Sequence, residues 1–322
     1  MPVSRQLYYF HYRFFVTGFL LLLTAVLSFP VWADSKNGFE LSNAAIPVAE
    51  ILSGGPPRDG IPAIDAPVFL SAAQVDFLSP EQRVLGVVRH GIAKAYPISI
   101  LNWHEIVNDQ FAEEGIVVTF CPLCGTGMAF LADIDGQRRS FGVSGLLYNS
   151  DVLLYDRTTE SLWSQLMMRA VTGSLSGTAL TLIPTTHTTW ADWRERYPAT
   201  RVLSTETGYA RDYQRDPYTG YEQSDSTFFP VPKASKQFHP KEIVLGLALD
   251  GVVKAYPFSE LARAPSPVPD RIGTRSVNIE FDAEHRTGRV LNADGEEIPS
   301  VMAYWFAWSA FHPETAIFTI PR

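Results

Sequence analysis

Cysteine is nearly absent from this chain of 322 residues, which holds only two. A disulfide framework of the kind that supports small secreted domains is therefore excluded, and the fold must depend on its apolar core. Clusters of Lys and Arg are also lacking and the net charge is −8, so we expect no nucleic-acid partner. The sequence contains no phosphate-binding loop, no dinucleotide fingerprint and no Gly-x-Ser-x-Gly motif, the signatures of common nucleotide-binding enzymes and hydrolases.

The first 33 residues have the features of an export signal. Arg5 and Arg13 precede an apolar run from 14 to 29, and Val31-Trp32-Ala33 resembles a cleavage site. The run is about 16 residues long, shorter than the roughly 20 that span a membrane. We therefore predict a signal peptide over 1–33 and an exported, periplasmic mature chain with no stable membrane span. An uncleaved N-terminal anchor is the alternative.

Two segments of the mature chain are similar to each other. Val84–Leu101 reads VLGVVRHGIAKAYPISIL and Val244–Leu261 reads VLGLALDGVVKAYPFSEL, with ten of eighteen positions identical at an offset of 160. Each copy predicts a strand, a turn, a second strand and a short helix. The pairs His90-Gly91 and Asp250-Gly251 fall at the turns, where a residue followed by Gly is favoured.

These patterns predict an α+β fold that is dominated by β structure. We expect two similar β-rich units from an internal duplication, with short helices between them. Residues 34–60 predict an N-terminal arm, and residues 61–322 a single duplicated domain. Within that domain, repeat one covers about 61–140, a middle insert about 141–224 and repeat two about 225–310.

Both cysteines lie in Cys121-Pro122-Leu123-Cys124, at the end of a β-type run. Two thiols at this spacing can share one metal ion or close a small disulfide ring. Allowing one inserted residue, the second copy has Asp282 and His285 where the first has its cysteines. Because the second copy replaces the thiols, a functional role for the pair is favoured over a structural one.

Three hypotheses follow from this motif. In the first, Cys121 and Cys124 bind copper or zinc together with His104, and with Glu105 or Met128 as possible further ligands. In the second, the protein is a thiol-dependent enzyme or redox protein in which His104 is the base for Cys121 and Cys124 is the resolving thiol. In the third, the two cysteines form a structural disulfide in a module that binds a ligand or glycan.

Other segments complete the interpretation of the sequence. Asp151 and the three residues before it precede a strand and could rim a pocket, which Trp163 and Gln165 could also face. Residues 101–109 predict a helical turn, and residues 189–197 a helix capped by Thr188 or Thr189. Residues 301–311 predict a buried strand. His187, by its Thr-rich surroundings, is predicted to lie at the surface.

Several motifs together resemble one known family, the exported bacterial proteins of domain of unknown function 3179. The motifs are IPAIDAPVF, KAYPISILNWHEIVND, VVTFCPLCGTGMAF, FGVSGLLYNSDVLLYDRTTESLWSQ and WADWRERYPATRVLSTETGYARDY. Met167-Met168 departs from the pattern, because a pair containing Gly is expected there. The resemblance implies a common domain with residues 104–109 and 121–124 at its functional core. It implies no activity and no partner.

Overall fold

The computed structural model describes residues 35–321, so the predicted signal peptide and its cleavage site lie outside the described residues. Within 35–321, none of the helices has the length and apolarity needed to cross a bilayer.

The described residues form five sheets of four or five strands in a propeller-like arrangement. Sheet 1 contains Ile51–Ser53, Phe141–Tyr148, Asp151–Asp156, Leu162–Ser164 and Arg169–Ala170. Sheet 2 contains Phe69–Ser71, Arg83–Arg89, Ile92–Pro97, Thr186–Thr189 and Arg201–Leu203. Sheet 3 contains Ile106–Phe111, Glu114–Cys121, Thr126–Leu131 and Leu182–Ile183. Sheet 4 contains Ile243–Leu249, Val252–Pro257, Val301–Tyr304 and Ala316–Ile317. Sheet 5 contains Val268–Ile272, Arg275–Asp282, Thr287–Asn292 and Glu297–Ile298.

The remaining elements of the described chain are short. The α-helices are α1 (Ile98–His104), α2 (Trp190–Arg196), α3 (Phe258–Leu261) and α4 (Trp305–Phe311). Two short ribbons pair Ser35–Lys36 with Phe39–Glu40 and Asp133–Ile134 with Gln137–Arg138, and single 3-10 turns cover Val48–Glu50 and Ala72–Gln74. The β-dominated class is confirmed. The description as two units is replaced by five sheets.

The two similar segments form matching hairpins in sheets 2 and 4. Val84 pairs with Pro97 in the first hairpin and Val244 with Pro257 in the second, so the offset of 160 is kept in the strand register. All four turn residues have positive φ, between 50° and 77°. This backbone matches the right-handed twist of the flanking strands, and it explains why each turn ends in glycine.

The match extends to strands that lie far away in sequence. The first hairpin is paired with strand Thr186–Thr189 and contacted by helix α2. In the same way, the second hairpin is paired with strand Val301–Tyr304 and contacted by helix α4. A Cβ on Gly86 would lie 2.1 Å from the Trp193 ring, and one on Gly246 would lie 2.2 Å from the Trp308 ring. Each glycine therefore makes room for one indole, and the two indoles occupy matching places.

Sheets 3 and 5 also share a register. Cys121 pairs with Thr126 in sheet 3, and Asp282 pairs with Thr287 in sheet 5. The outer strands match too, because Leu182 pairs with Phe130 as Glu297 pairs with Leu291. Sheet 1 has no such counterpart. Four of its five strands, all except Ile51–Ser53, lie in the chain between the last two strands of sheet 3, where sheet 5 has only residues 293–296.

Three local predictions were wrong. Helix α1 ends at His104, because Glu105 has a φ of +58°, and residue 106 begins a strand. The predicted strand over 301–311 becomes helix α4 after Tyr304. His187 is buried, because its strand pairs with the first hairpin. The helix over 190–196 is confirmed, with the Thr189 hydroxyl accepting from the backbone N–H of Asp192.

Candidate metal centre

The two cysteines lie in the tight turn between the second and third strands of sheet 3. Cys121 is the last residue of one strand, and the backbone N–H of Cys124 donates to the Cys121 carbonyl at 3.2 Å. Gly125 follows with a φ of +60°, and a Cβ there would lie 2.7 Å from the Tyr304 ring. Both sulfurs are buried and both thiols are free. The turn therefore holds two unbridged thiols in the protein interior.

A third group arrives from sheet 1. Its central hairpin turns at Asn149 and Ser150, which both have positive φ, and Asp151 begins the next strand. The Ser150 carbonyl accepts from Cys121 Sγ at 3.7 Å and from Cys124 Sγ at 3.4 Å. One ligand atom each from Cys121, Cys124 and Asp151 lies within 4.8 Å of the others. All three residues are buried.

The polar atoms around these three residues are incompletely paired. Asp151 Oδ2 accepts from the backbone N–H of Leu166 at 3.0 Å, whereas Oδ1 has no partner among the described residues. Ser150 Oγ, Gln165 Oε1 and Tyr221 Oη are buried without a hydrogen-bond partner in the same part of the structure. A buried polar atom left unpaired costs about 1–3 kcal/mol. Their concentration beside the thiols indicates a place built for a bound group.

Gln165 and Tyr221 belong to this centre by their contacts. Gln165 Nε2 donates to Thr119 Oγ1 at 2.8 Å and to the Thr126 carbonyl at 3.3 Å, both on the strands that flank the cysteine turn. Tyr221 shares an apolar cluster with both cysteines. Burial, followed by charge on Cys124 and Cys121, raises the pKa of its phenol. Gln165 therefore lies beside the cysteine turn, and the prediction that it faces a pocket stays a prediction.

Burial shifts the acidic groups of the centre toward their neutral forms. It raises the pKa of Asp151 to about 7 and, with the charge of Asp151, the pKa of Glu105 to about 8. The pKa of the Cys121 thiol is also raised by burial, and that of Cys124 is raised well above its usual value. Neither carboxyl forms a salt bridge within residues 35–321. A metal ion would reverse these preferences by stabilising the ionised forms.

His104 is not part of this cluster, and its side chain is hydrogen-bonded elsewhere. Its Nδ1 contacts the Pro62 carbonyl and its Nε2 the Tyr213 hydroxyl, each at 2.7 Å. Burial lowers the pKa of the imidazole, so the neutral ring donates to Pro62 and accepts from Tyr213. Its predicted role as ligand or base stays a prediction, because reaching a thiol requires breaking one of these bonds.

Glu105 and Met128 lie closer to the thiols. The Glu105 carbonyl accepts from the backbone N–H of Phe120 at 2.7 Å, which joins the end of α1 to the strand that leads into the cysteine turn. Charge on Glu105 acts on the pKa of Cys121. Met128 is fully buried in the same apolar cluster as the cysteines. Their roles as ligands also stay predictions.

A second cluster of ligand atoms in the described chain lies at the matching turn of sheet 5. It combines Asp192, Asp282 and His285 within 4.8 Å. Asp282 Oδ1 accepts from two backbone N–H groups, His285 Nδ1 contacts Thr189 Oγ1 at 2.8 Å, and Asp192 Oδ2 is bound by Thr188 and Arg196. These groups are already paired. The cluster is therefore a weaker candidate than the buried one.

Fold and site together define a propeller-like β protein with a buried dithiol–carboxylate centre. The family model described as protein of unknown function, DUF3179, matches residues 58–293. The chain belongs to this family, as the resemblance implied, and the match includes all of the centre's residues. No curated protein and no solved structure matched the chain.

Proposed function

We propose that this protein binds a single soft or borderline metal ion through Cys121, Cys124 and Asp151. The observation that carries the proposal is Asp151 Oδ1, which is buried, has no partner among the described residues and belongs to a carboxylate grouped with both thiols. The sequence predicts the two cysteines and His104 as ligands. We propose the Asp151 carboxylate of sheet 1 as the third ligand in place of His104.

The dimensions of the cluster support this proposal. Zinc lies about 2.3 Å from thiolate sulfur and about 2.0–2.2 Å from carboxylate oxygen, so the ligand atoms of a tetrahedral site are about 3.6–3.8 Å apart. The three ligand atoms lie within 4.8 Å of one another, so a closure of at most about 1 Å would bring them to this spacing. A set of two thiolates and one carboxylate leaves a fourth tetrahedral position, for Glu105 or for an exogenous ligand.

Zinc is the better of the two metals that we considered. A carboxylate oxygen is a hard ligand that zinc accepts, whereas Cu(I) prefers thiolates and thioethers. Copper remains the alternative, because the Met128 thioether is buried in the same cluster as the thiols.

A thiol enzyme is less well supported. An activated cysteine needs a lowered pKa, which comes from a nearby cation or a helix N-terminus. Burial instead raises the pKa of both thiols. His104, the predicted base, is bonded to Pro62 and Tyr213.

Elemental analysis of the purified protein tests the proposal. We expect about one equivalent of zinc in the native chain. Cys121→Ser and Asp151→Asn should each weaken zinc binding by at least about tenfold, since even indirect supports of a metal site are worth 10–100-fold. Asp282→Asn, at the position that matches Cys121 in sheet 5, is the control and should change nothing. Zinc content that is unaffected by both ligand variants would contradict the proposal.

We also propose that the chain arose by internal duplication and that it is exported. Support for duplication comes from the matching registers of the two hairpins and from the matching placement of Trp193 and Trp308. Support for export comes from the N-terminal sequence alone. Fractionation of cells that express the full chain tests export. We expect the mature protein in the periplasmic fraction, and its presence only in the cytosol would contradict export.

A further inference from the structure

A cavity of about 230 Å³ lies directly against the proposed metal centre. Leu123, between the two cysteines, forms part of its wall, and Val152, next to Asp151, forms another part. Glu105 lines it as well. The backbone segments that carry all three metal ligands therefore also carry the cavity wall.

The rest of the lining is almost entirely apolar. Val143 and Leu147 of sheet 1 form one side, and Tyr218, Phe228 and Phe229 form another. Glu105 is the single ionisable acidic side chain among the described lining residues, and none of them is basic. The proposed centre offers no net positive charge either, because Zn²⁺ with two thiolates and one carboxylate sums to −1. An anionic ligand would therefore lose its hydration here without meeting a net positive charge, which is costly. A neutral ligand meets no such penalty.

The aromatic side of the cavity belongs to a long irregular segment. Residues 204–242 contain no helix or strand, although they are part of a compact protein. Phe228 is 60% exposed, yet its ring centroid lies 4.5 Å from that of Tyr221. Long segments of this kind in compact domains are commonly binding loops. Because Phe228 both lines the cavity and is exposed, this segment gives the cavity an edge open to solvent.

We infer that this cavity binds a small neutral molecule with an apolar body and one hydrogen-bonding group that faces the metal centre. The inference rests on the proposed function for the position of the metal, and on the cavity itself for the class of ligand. The volume is below the roughly 300 Å³ at which pockets for drug-sized ligands begin, so the ligand is small. The open fourth metal position and Glu105 supply its polar contacts.

Fluorine NMR with 4-fluorobenzyl alcohol as the probe tests this inference. We expect saturable 1:1 binding to the native protein and at least tenfold weaker binding of 4-fluorobenzoate, which has the same ring but carries a negative charge. Ile61→Trp fills the cavity from a loop position and should weaken binding of the alcohol at least tenfold. Val252→Trp, on the exposed second hairpin, is the matched control and should leave it unchanged.

A second variant guards against misfolding of the first. Phe229→Ala removes part of the wall and should also weaken binding of the alcohol, in a protein whose circular dichroism matches the native one. Absence of binding to the native chain, or equal binding by the Ile61→Trp and Val252→Trp proteins, overturns the inference.

Metal substitution separates this inference from the proposed function. With Co²⁺ in the centre, relaxation of the bound fluorine should be faster than with Zn²⁺, because the paramagnetic ion adjoins the cavity. Cys121→Ser should abolish this difference while the alcohol still binds. Binding of the alcohol to a protein that takes up no metal supports the cavity and removes the metal site. Equal relaxation in protein shown to hold either metal overturns the placement of the ligand beside the ion.

Discussion

Two turns of this protein have the same strand register and the same positive φ at one position, but they differ in their surroundings. Residues 121–126 in sheet 3 and 282–287 in sheet 5 have matching strand pairs, and Gly125 and Arg286 both have positive φ at matching places. The first turn is buried under sheet 1, whereas residues 282–284 of the second are exposed. Because sheet 1 covers the first turn and not the second, only the first turn meets the Asp151 carboxylate in a buried setting.

The comparison also shows what an inserted sheet can contribute to a site. Asp151 and Gln165 both belong to the segment between the last two strands of sheet 3. In sheet 5 the corresponding connection is four residues long, from 293 to 296, and it brings no carboxylate to the turn. In the proposed centre the cysteines would supply two ligands. The segment between the last two strands of sheet 3 would supply the third, Asp151.

The largest effect is expected from removing both thiols of the first turn. Cys121→Ser combined with Cys124→Ser should abolish metal binding and with it the metal's contribution to stability, which for structural zinc sites reaches about 10–16 kcal/mol. Asp282→Cys combined with His285→Cys should not create a site of equal affinity, because Asp192, the carboxylate beside that turn, is already bound by Thr188 and Arg196. Metal content and thermal unfolding with and without chelator measure both. Equal zinc affinity of the two turns would break the comparison.

The next effect concerns His187. It pairs with Leu85 in sheet 2, and Met302 pairs with the matching Leu245 in sheet 4. The neutral imidazole accepts from the Gly127 N–H at 3.0 Å, and burial lowers its pKa to about 3. In the unfolded chain this histidine has a pKa near 6.5, so between pH 3 and 6.5 the unfolded state binds one proton more than the folded state. Stability due to this group is therefore complete above pH 6.5 and is lost toward pH 3, by about 1.4 kcal/mol per pH unit.

His187→Met should remove this dependence. We expect the unfolding free energy of the native protein, minus that of the variant, to rise with pH between pH 4 and 6. The slope should be about 1.4 kcal/mol per pH unit, which corresponds to one proton. Taking the difference cancels the opposite contributions of the buried carboxyls. Denaturant unfolding at several pH values measures it, and parallel curves for the two proteins would contradict the assigned burial of a neutral imidazole.

A smaller effect is expected at the matched glycines Gly86 and Gly246. An added methyl group would overlap Trp193 or Trp308, and overpacking of this kind costs about 1–3 kcal/mol. Gly86→Ala and Gly246→Ala should destabilise the protein by similar amounts, measured by urea unfolding. A large cost at one glycine and none at the other would count against matching roles for the two tryptophans.

The smallest effect is expected at two matched tyrosines. The Tyr96 hydroxyl donates to Asp109 and that of Tyr256 donates to Asp270, each at 2.6 Å, while Lys94 and Lys254 bind the same carboxylates. Each Tyr→Phe change removes one bond and leaves the ion pair, so we expect a loss of about 1 kcal/mol in both. Unequal losses, differing by more than about 1 kcal/mol, would show that the two positions have diverged.

Local features of this fold could be predicted from the sequence. The turns at Gly91 and Gly251 follow from residue pairs that favour positive φ, and the cap at Thr189 follows from its hydroxyl. The second part of the similarity was missed because its offset changes. Trp193 and Trp308, each in a W-x-x-W motif, are 115 residues apart rather than 160. A search that allowed a long insertion would have found them.

The centre itself could be predicted only in part. The cysteine turn carries its own signal, and the segment ending at Asp151 had been named as a possible pocket rim. Its approach to the thiols depends on how sheet 1 packs on sheet 3, which no local pattern encodes. His104 was favoured because histidine and cysteine are both missing from the second copy at the corresponding places. The structure gives that histidine two other partners.

X-ray absorption at the zinc edge of the purified protein tests the ligand set most directly. The account predicts two sulfur neighbours at about 2.3 Å and oxygen neighbours at about 2.0–2.2 Å, with the oxygen contribution altered in Asp151→Asn. A shell without sulfur, or one with the multiple scattering of an imidazole that disappears in His104→Gln, would contradict the dithiol–carboxylate centre.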